Sequence, residues 1–425
     1  MTEEATPTSP VARGSARRKG ALAGLFSAQE SGLLLVILLM MTALTIFGGS
    51  KPRKVRVDLP PGAQVTLIDA AGNEREFGTF PLNELAEIVV VENGSETRYA
   101  TEQGWSYSRD RAGTQSLLRE TTVNKFLDLE NLVLIAKDAS FIAIMAVGMT
   151  AVIILAGIDL SVGSIYGIAA IVGAIALHEL GPEASGVTAI FLGLAVCLGV
   201  GALCGLFNGM MIVGLRVHPF VITLGMMAAL RGLAIIIPQE VYGEQSIAGF
   251  PAGFTRGFFK AEIFGVYPVP VIVMLVIGLA GWFVLSRTVI GRQVFAIGGN
   301  ETAAKYAGIP VGRVKIIVYT VMGALAGLSA CVYLGYLGAA ETSAGNTYEL
   351  RVIAAAVIGG ASLMGGRGSA LGAVLGAIII ELINNGMIIL EIDQSWNQVV
   401  MGAAIIIAVV IDQAKRRFSS GGRRS

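Results

Sequence analysis

The sequence predicts an all-α polytopic membrane protein of about ten transmembrane segments, with a small β-rich extracytoplasmic insert. Three observations predict it. Apolar residues make up 54% of the 425 residues before glycine is counted, where soluble domains reach about 45–50% with glycine included. Charged residues are 14%, against about 25% in a soluble domain, and mean hydropathy is +0.70. Apolar runs long enough to cross a bilayer recur along most of the chain.

Composition also excludes several classes. A net charge of +1 gives no reason to expect a nucleic-acid partner. Cys197, Cys204 and Cys331 lie inside apolar runs, with neither metal-ligand spacing nor a disulfide framework. His178 and His218 are the only histidines, so no histidine-built metal site and no cofactor are expected. The chain lacks a G-x-x-x-x-G-K-[ST] phosphate loop; Gly365-Gly-Arg-Gly368 has no lysine and reads as a tight turn. No Ser/His/Asp set, zinc motif or carboxylate pair supports an enzyme.

Residues 1–30 are polar and rich in Pro, Arg and Lys, and read as a cytoplasmic tail. Residues 31–49 form the first span. No small-x-small pattern closes that run, so it reads as an uncleaved anchor rather than a signal peptide. Lys51, Arg53, Lys54 and Arg56 follow directly and weaken the local charge bias, which long translocated segments largely escape. Residues 51–125 change character. Short alternating runs at 55–57, 65–67 and 88–91, with Asn93-Gly94 as a hairpin turn, predict the β-rich insert. Residues 124–137 alternate at helical spacing and suggest a helix lying along the outer surface.

From residue 140 to 177 the chain is almost wholly apolar but broken by Gly157-Ile-Asp-Leu-Ser-Val-Gly-Ser164. Two crossings joined by a tight connection are expected. Asp159 and Ser161 then either cap the next helix at the membrane surface or belong to an unwound segment facing a cavity. Further spans are expected at 185–215, 219–238, 268–285, 314–337, 369–390 and 396–411. The run 351–364 is short for a crossing and reads as a half-helix or re-entrant piece.

The stretch 286–315 is the main basic interruption of these runs. Arg287, Arg292, Lys305, Arg313 and Lys315 place it in the cytoplasm. Asn300 can cap a helix over 301–306, ended by Gly308-Ile-Pro310. The residues alone allow an anchored loop or a surface against which another protein pushes. Arg216, Arg367 and the end at Lys415, Arg416 and Arg417 fall on the same side; Glu179, Glu183, Glu391 and Asp393 fall opposite. Both termini are therefore expected in the cytoplasm.

Small residues four apart recur at Gly163/Gly167, Gly201/Gly205/Gly209, Gly323/Gly327 and Gly368/Gly372/Gly376, a pattern for close helix packing. Gly201-Ala-Leu-Cys-Gly-Leu206 echoes Gly323-Ala-Leu-Ala-Gly-Leu328 and hints at an internal repeat. Polar residues inside apolar runs are Asp159, Ser161, Asn208, Thr223, Arg231, Glu381, Asn384 and Asn385. They either bond across helices or line a pathway for a polar solute; Arg231 is expected to pair or snorkel. Asp412 reads as a surface residue at the cytoplasmic end.

An ordered set of short motifs resembles the membrane permeases of ABC importers for simple sugars of the ribose, xylose and galactose type. It comprises Gly148-Met-Thr150, Gly157-Ile-Asp-Leu-Ser-Val-Gly-Ser164, Asn208-Gly209, Pro219-Phe220, Thr223-Leu-Gly225 and Arg231-Gly232. It continues through Ala296-Ile-Gly-Gly-Asn300, Ala303-Ala304, Gly308-Ile309, Tyr348-Glu-Leu350, Ile353-Ala-Ala355, Ile358-Gly-Gly360, Gly365-Gly366, Asn385-Gly386 and Asp412. The resemblance covers residues 131–412, the permease domain, with 413–425 as a second cytoplasmic tail. The Asp-Leu form of the first long motif is similar to the sugar branch; nucleoside and branched-chain amino acid permeases usually carry Asn-Leu.

The resemblance implies an inner-membrane subunit that translocates a monosaccharide and does not itself hydrolyse ATP. Its implied partners are a second permease subunit, identical or not, two cytoplasmic ATPase subunits, an extracytoplasmic sugar-binding protein and membrane lipid. It makes Asn300, Glu301, Ala303, Ala304 and Gly308 the ATPase-coupling loop. Asp159, Ser161, Asn208, Thr223, Asn384 and Asn385 are the candidate pathway residues. A permease for another small polar solute, a self-contained channel or secondary transporter, and a non-transporting scaffold are the alternatives. Two departures stand out: Arg351 occupies a position that is commonly acidic, and the insert 51–125 is additional.

Overall fold

The computed structural model describes residues 28–77, 85–92, 94–110, 113–263 and 266–421, side chains at 28–29, 408 and 411–421 excepted. The first tail to residue 27, Asn93 of the expected turn, and the side chains of Asp412 and residues 415–417 lie outside the described residues.

Helix α1 (Ala28–Phe47) is followed by seven strands: β1 (Ser50–Asp58), β2 (Gln64–Asp69), β3 (Glu74–Arg75), β4 (Leu85–Glu92), β5 (Ser95–Ala100), β6 (Trp105–Arg109) and β7 (Gln115–Asn124). The chain then becomes helical: α2 (Leu129–Ile154), α3 (Val162–Leu180), α4 (Gly186–Leu215), α5 (Pro219–Tyr242), α6 (Pro268–Arg287), α7 (Val289–Gly299), α8 (Glu301–Tyr306), α9 (Val311–Leu337), α10 (Tyr348–Ile358), α11 (Ala370–Ile389) and α12 (Asn397–Gly421). Short strands β8 (Ser246–Ala248) and β9 (Ala339–Glu341) pair antiparallel and tie the connection after α5 to the one after α9.

Among the described residues, eight helices are long and apolar enough to cross a membrane: α1 to α6, α9 and α11. Helix α10 has 11 residues. At 1.5 Å per residue it rises about 16 Å, half a hydrocarbon core. It therefore takes the half-helix form that its short apolar run suggested. Helix α12 runs on through residues 413–421, so that stretch continues the helix.

Alternation places Leu67, Ile88, Val90, Tyr107 and Leu117 in a small core between two sheets, ordered β1-β7-β6 and β3-β2-β4-β5. Strands β4 and β5 pair with Glu92 opposite Ser95. Asp69 closes the β2–β3 turn by accepting from the Ala71 and Asn73 amides, both at 2.9 Å, and from Arg75 Nε at 2.8 Å. The basic run after α1 is largely neutralised here. Lys51 and Arg53 pair with the buried carboxylate of Asp128 at 2.6 and 3.0 Å, and Arg56 pairs with Asp58. Lys125 reaches Glu391 at 2.8 Å, and Asn124 Nδ2 donates to the Thr45 carbonyl at 2.8 Å. These contacts dock the β1–β7 ribbon onto the helices.

The expected surface helix over 124–137 is not separate. Asn124 ends β7, its side chain accepts from the Phe126 and Leu127 amides, and residues 129–137 are the first turns of continuous α2. Leu132 and Ile135, whose spacing suggested an outer face, pack in a cluster with Leu44 and Leu382. Helix α5 likewise continues past Pro238 to Tyr242.

The core of the bundle is α2, α3, α9, α10 and α11. Helices α4 and α9 meet along the two echoing glycine stretches. A Cβ on Gly201 would lie 2.2 Å from the Gly323 carbonyl oxygen, and one on Gly323 would lie 2.1 Å from the Gly201 carbonyl oxygen. The contact is reciprocal, and only hydrogen at both positions permits it. Gly372 meets Gly359 in the same way, joining α10 to α11.

Candidate coupling and translocation sites

The basic stretch folds as two helices. Gly298 of α7 lies against the Ile154 carbonyl, and Gly366 N donates to that oxygen at 2.9 Å. Asn300 then adopts extended geometry, and its side-chain oxygen accepts from the Ala303 amide at 2.9 Å, capping α8. Gly308, at φ +79°, turns the chain, while its amide and that of Ile309 bond the Lys305 and Ala304 carbonyls. Ala304 is the buried side of α8 and Ala303 the exposed side. The cap and stop are those predicted; α7 was not anticipated, because its apolar residues Val294 and Ile297 are interleaved with the basic signal.

Glu301 anchors the element. It pairs with Lys305 at 2.9 Å on α8 and with Lys315 at 2.8 Å in the first turns of α9. The Lys315 bond, then that of Lys305, holds its carboxyl below the ordinary glutamate range. Tyr306 projects from α8 at 88% exposure.

The second site lies between α2 and α3. Ser161 occupies the N-cap position of α3 but makes no capping bond. Asp159 Oδ1 instead accepts from Ser161 N at 2.8 Å and Ser161 Oγ at 2.5 Å. Asn208 Nδ2 of α4 donates to Ser161 Oγ at 2.8 Å, and Thr223 Oγ1 of α5 donates to the Ile158 carbonyl at 3.4 Å. Asp159, Ser161, Asn208 and Thr223 are all fully buried, so the cap at a membrane surface is replaced by an internal polar cluster. Among the described residues, Asp159 Oδ2 and Asn208 Oδ1 have no hydrogen-bond partner. Tyr319 of α9 closes the cluster's flank: its hydroxyl sits over Gly157, where a Cβ would lie 2.6 Å away, and it too is unpartnered.

Asn384 and Asn385 belong elsewhere. Asn385 exchanges hydrogen bonds with Asn131 of α2 at 2.6 and 3.2 Å, and Asn384 accepts from Asn397 at 2.7 Å. They join α11 to α2 and to the start of α12. Arg231 forms no ion pair among the described residues; it donates to the Ala344 carbonyl at 2.8 Å. Arg351 faces Glu381 at 3.7 Å and lies 5.7 Å from the Tyr348 ring. The departure at Arg351 is thus matched by a carboxylate inside the same chain.

Buried polar groups inside a bundle of apolar helices, eight of which among the described residues are long enough to cross a membrane, mark a polytopic membrane protein. The family model described as "Branched-chain amino acid transport system / permease component" matches residues 131–409, and the chain belongs to this family. It is 38% identical over 301 residues to the ribose import permease of Escherichia coli, covering 68% of this chain and 88% of the relative. The D-allose transport system permease of the same organism is 38% identical over 292 residues, covering 68% and 85%. The galactose/methyl galactoside import permease of Haemophilus influenzae is 35% identical over 299 residues, covering 68% and 88%. No solved structure matches. The strand-bearing residues 50–124 precede the matched region.

Proposed function

We propose that this chain is the permease subunit of an ATP-binding-cassette importer that moves a monosaccharide delivered by an extracytoplasmic binding protein. Its relatives are named for ribose, D-allose and galactose or methyl galactoside import, which supports a simple sugar as the solute class. ATP hydrolysis falls to two separate cytoplasmic subunits, and a second permease completes the pathway. The orientation follows the basic residues: α7, α8 and both termini lie in the cytoplasm, with ten membrane segments when α10 and α12 are counted. The strands of residues 50–124 then lie outside, docked through Asp128 and Lys125 where a binding protein arrives.

The observation that carries the mechanism is the 2.8 Å bond from Lys315 to Glu301. It fixes α8 to α9, and Tyr319, one turn further along α9, rests on Gly157 two residues before Asp159. A push on α8 by an ATPase therefore reaches the polar cluster through one helix. ATP and solute act through their unequal affinities for outward-open and inward-open states. Asp159, Ser161, Asn208 and Thr223 form the pathway side of this device.

Reconstitution tests it. Solute and binding protein should stimulate ATP hydrolysis only when the permease and ATPase subunits are together. Gradient-driven sugar flux by the permease alone would instead make it a secondary transporter.

A further inference from the structure

A cavity of about 920 Å³ opens beside α8. Its wall includes Arg216, Lys305 and Lys315 as cations and Glu301 as the one carboxylate, a net charge of +2 with His218 neutral. Glu301 already bonds both lysines, so Arg216 stands without an ion-pair partner among the described residues. The amino-terminal ends of two long helices also line it: α5 with His218 and Pro219, and α9 with Val311 and Gly312. Helix amino termini carry partial positive charge and attract anions. His218 Nδ1 accepts from the Phe220 amide, which leaves Nε2 to carry the ring proton.

Two further features point to a ligand. Tyr319 lines the same cavity, is 1% exposed, and its hydroxyl has no partner among the described residues. A buried hydroxyl without a partner is costly unless something supplies one. Arg216 holds a left-handed backbone, φ 55° and ψ 33°, at the end of α4, where glycine is the usual residue. Its side chain therefore stands against a local backbone preference.

We propose that this cavity is a cytoplasmic anion site that takes a small phosphorylated molecule. The cations and helix termini neutralise the phosphate, and Tyr319 donates at the inner end. The volume suits a metabolite-sized ligand. A neutral sugar leaving the pathway gains nothing from this charge, whereas its phosphorylated product does. Because Glu301 and Lys305 belong to α8, an occupant would bear on the coupling element; this regulatory half and the cytoplasmic placement rest on the transport reading, and the binding itself does not.

The test uses the full chain in nanodiscs, without ATPase, in magnesium-free buffer. The probes are pyrophosphate and glucose 6-phosphate, with glucose as control. Saturable calorimetric binding of both phosphates and not of glucose is expected, weakening with salt. Arg216→Gly, which suits the left-handed backbone, should keep or raise the melting temperature while weakening binding about tenfold. Tyr319→Phe should weaken it several-fold. No saturable binding, equal binding to glucose, or unchanged affinity in both variants would overturn the proposal. So would loss of binding once ATPase subunits are added, which would make the cavity a protein contact. Sugar-stimulated ATP hydrolysis, measured separately, reports on the transport reading, so the two can fail independently.

Discussion

Asp159 is the residue on which the pathway reading turns. Its Oδ1 accepts two bonds from Ser161, while Oδ2 is buried and unpartnered. Asp159→Asn keeps an oxygen for both Ser161 bonds, so folded yield should change little. Uptake should fall about tenfold, equivalent to about 1.4 kcal/mol in a barrier. Paired transport and fluorescence-detected size-exclusion measurements check this; equal losses in both would reduce Asp159 to a structural turn. At α8, Asn300→Ala removes the oxygen that accepts from Ala303 and should cost the helix about 0.5–2 kcal/mol. Faster amide exchange at 303–306, restored by Asn300→Asp, is the expected readout.

Asp69 supplies a pH test in the strand module. The Asn73 amide, then Arg75, hold its carboxyl down to about 2. A depressed carboxyl contributes stability that is present above its unfolded value near 3.9 and is lost as pH falls through the folded value. The stability advantage of wild type over Asp69→Asn should therefore narrow as pH drops from about 5 to about 2. An advantage constant across that window would contradict the assignment.

Among elements, the α4–α9 crossing makes the sharpest packing prediction. Gly323→Ala would set a methyl against the Gly201 carbonyl, with backbone on both sides and no flexible group to yield. A loss of about 1–3 kcal/mol is expected from such overpacking. Gly199→Ala, on α4 two residues before Gly201 with open space around it, should be neutral. Melting in detergent checks the pair; similar effects would mean that the crossing is looser than described.

The glycine spacing made this contact legible in sequence, though not the partner of each stripe. The α8 cap was legible because Asn300, Glu301 and Gly308 carry local signals that need no tertiary context. Helix α7 and the unbroken start of α2 were not. In α7 basic residues masked apolar ones, and in α2 an amphipathic first turn faces α1 and α11 rather than lipid. The pathway list mixed two sites because side-chain chemistry gives no distance. Asn384 and Asn385 have the same polarity as Asn208, yet they bond toward α2 and α12.

For the whole molecule, the proposed mechanism has force entering at a capped helix and reaching a buried polar cluster through α9. Large apolar side chains remain exposed on α1, α4, α5 and α6, including Leu39, Leu203, Ile236 and Phe283. Exposed apolar faces of this kind suit contact with lipid or with another protein.

Everything depends on α8 lying in the cytoplasm beneath that path. A single cysteine at Lys305→Cys, in a chain with Cys197, Cys204 and Cys331 replaced by alanine, tests this with a membrane-impermeant maleimide. A cytoplasmic α8 predicts labelling in inside-out vesicles, protection when the ATPase subunits bind, and no labelling from outside intact cells. Labelling from outside would contradict it.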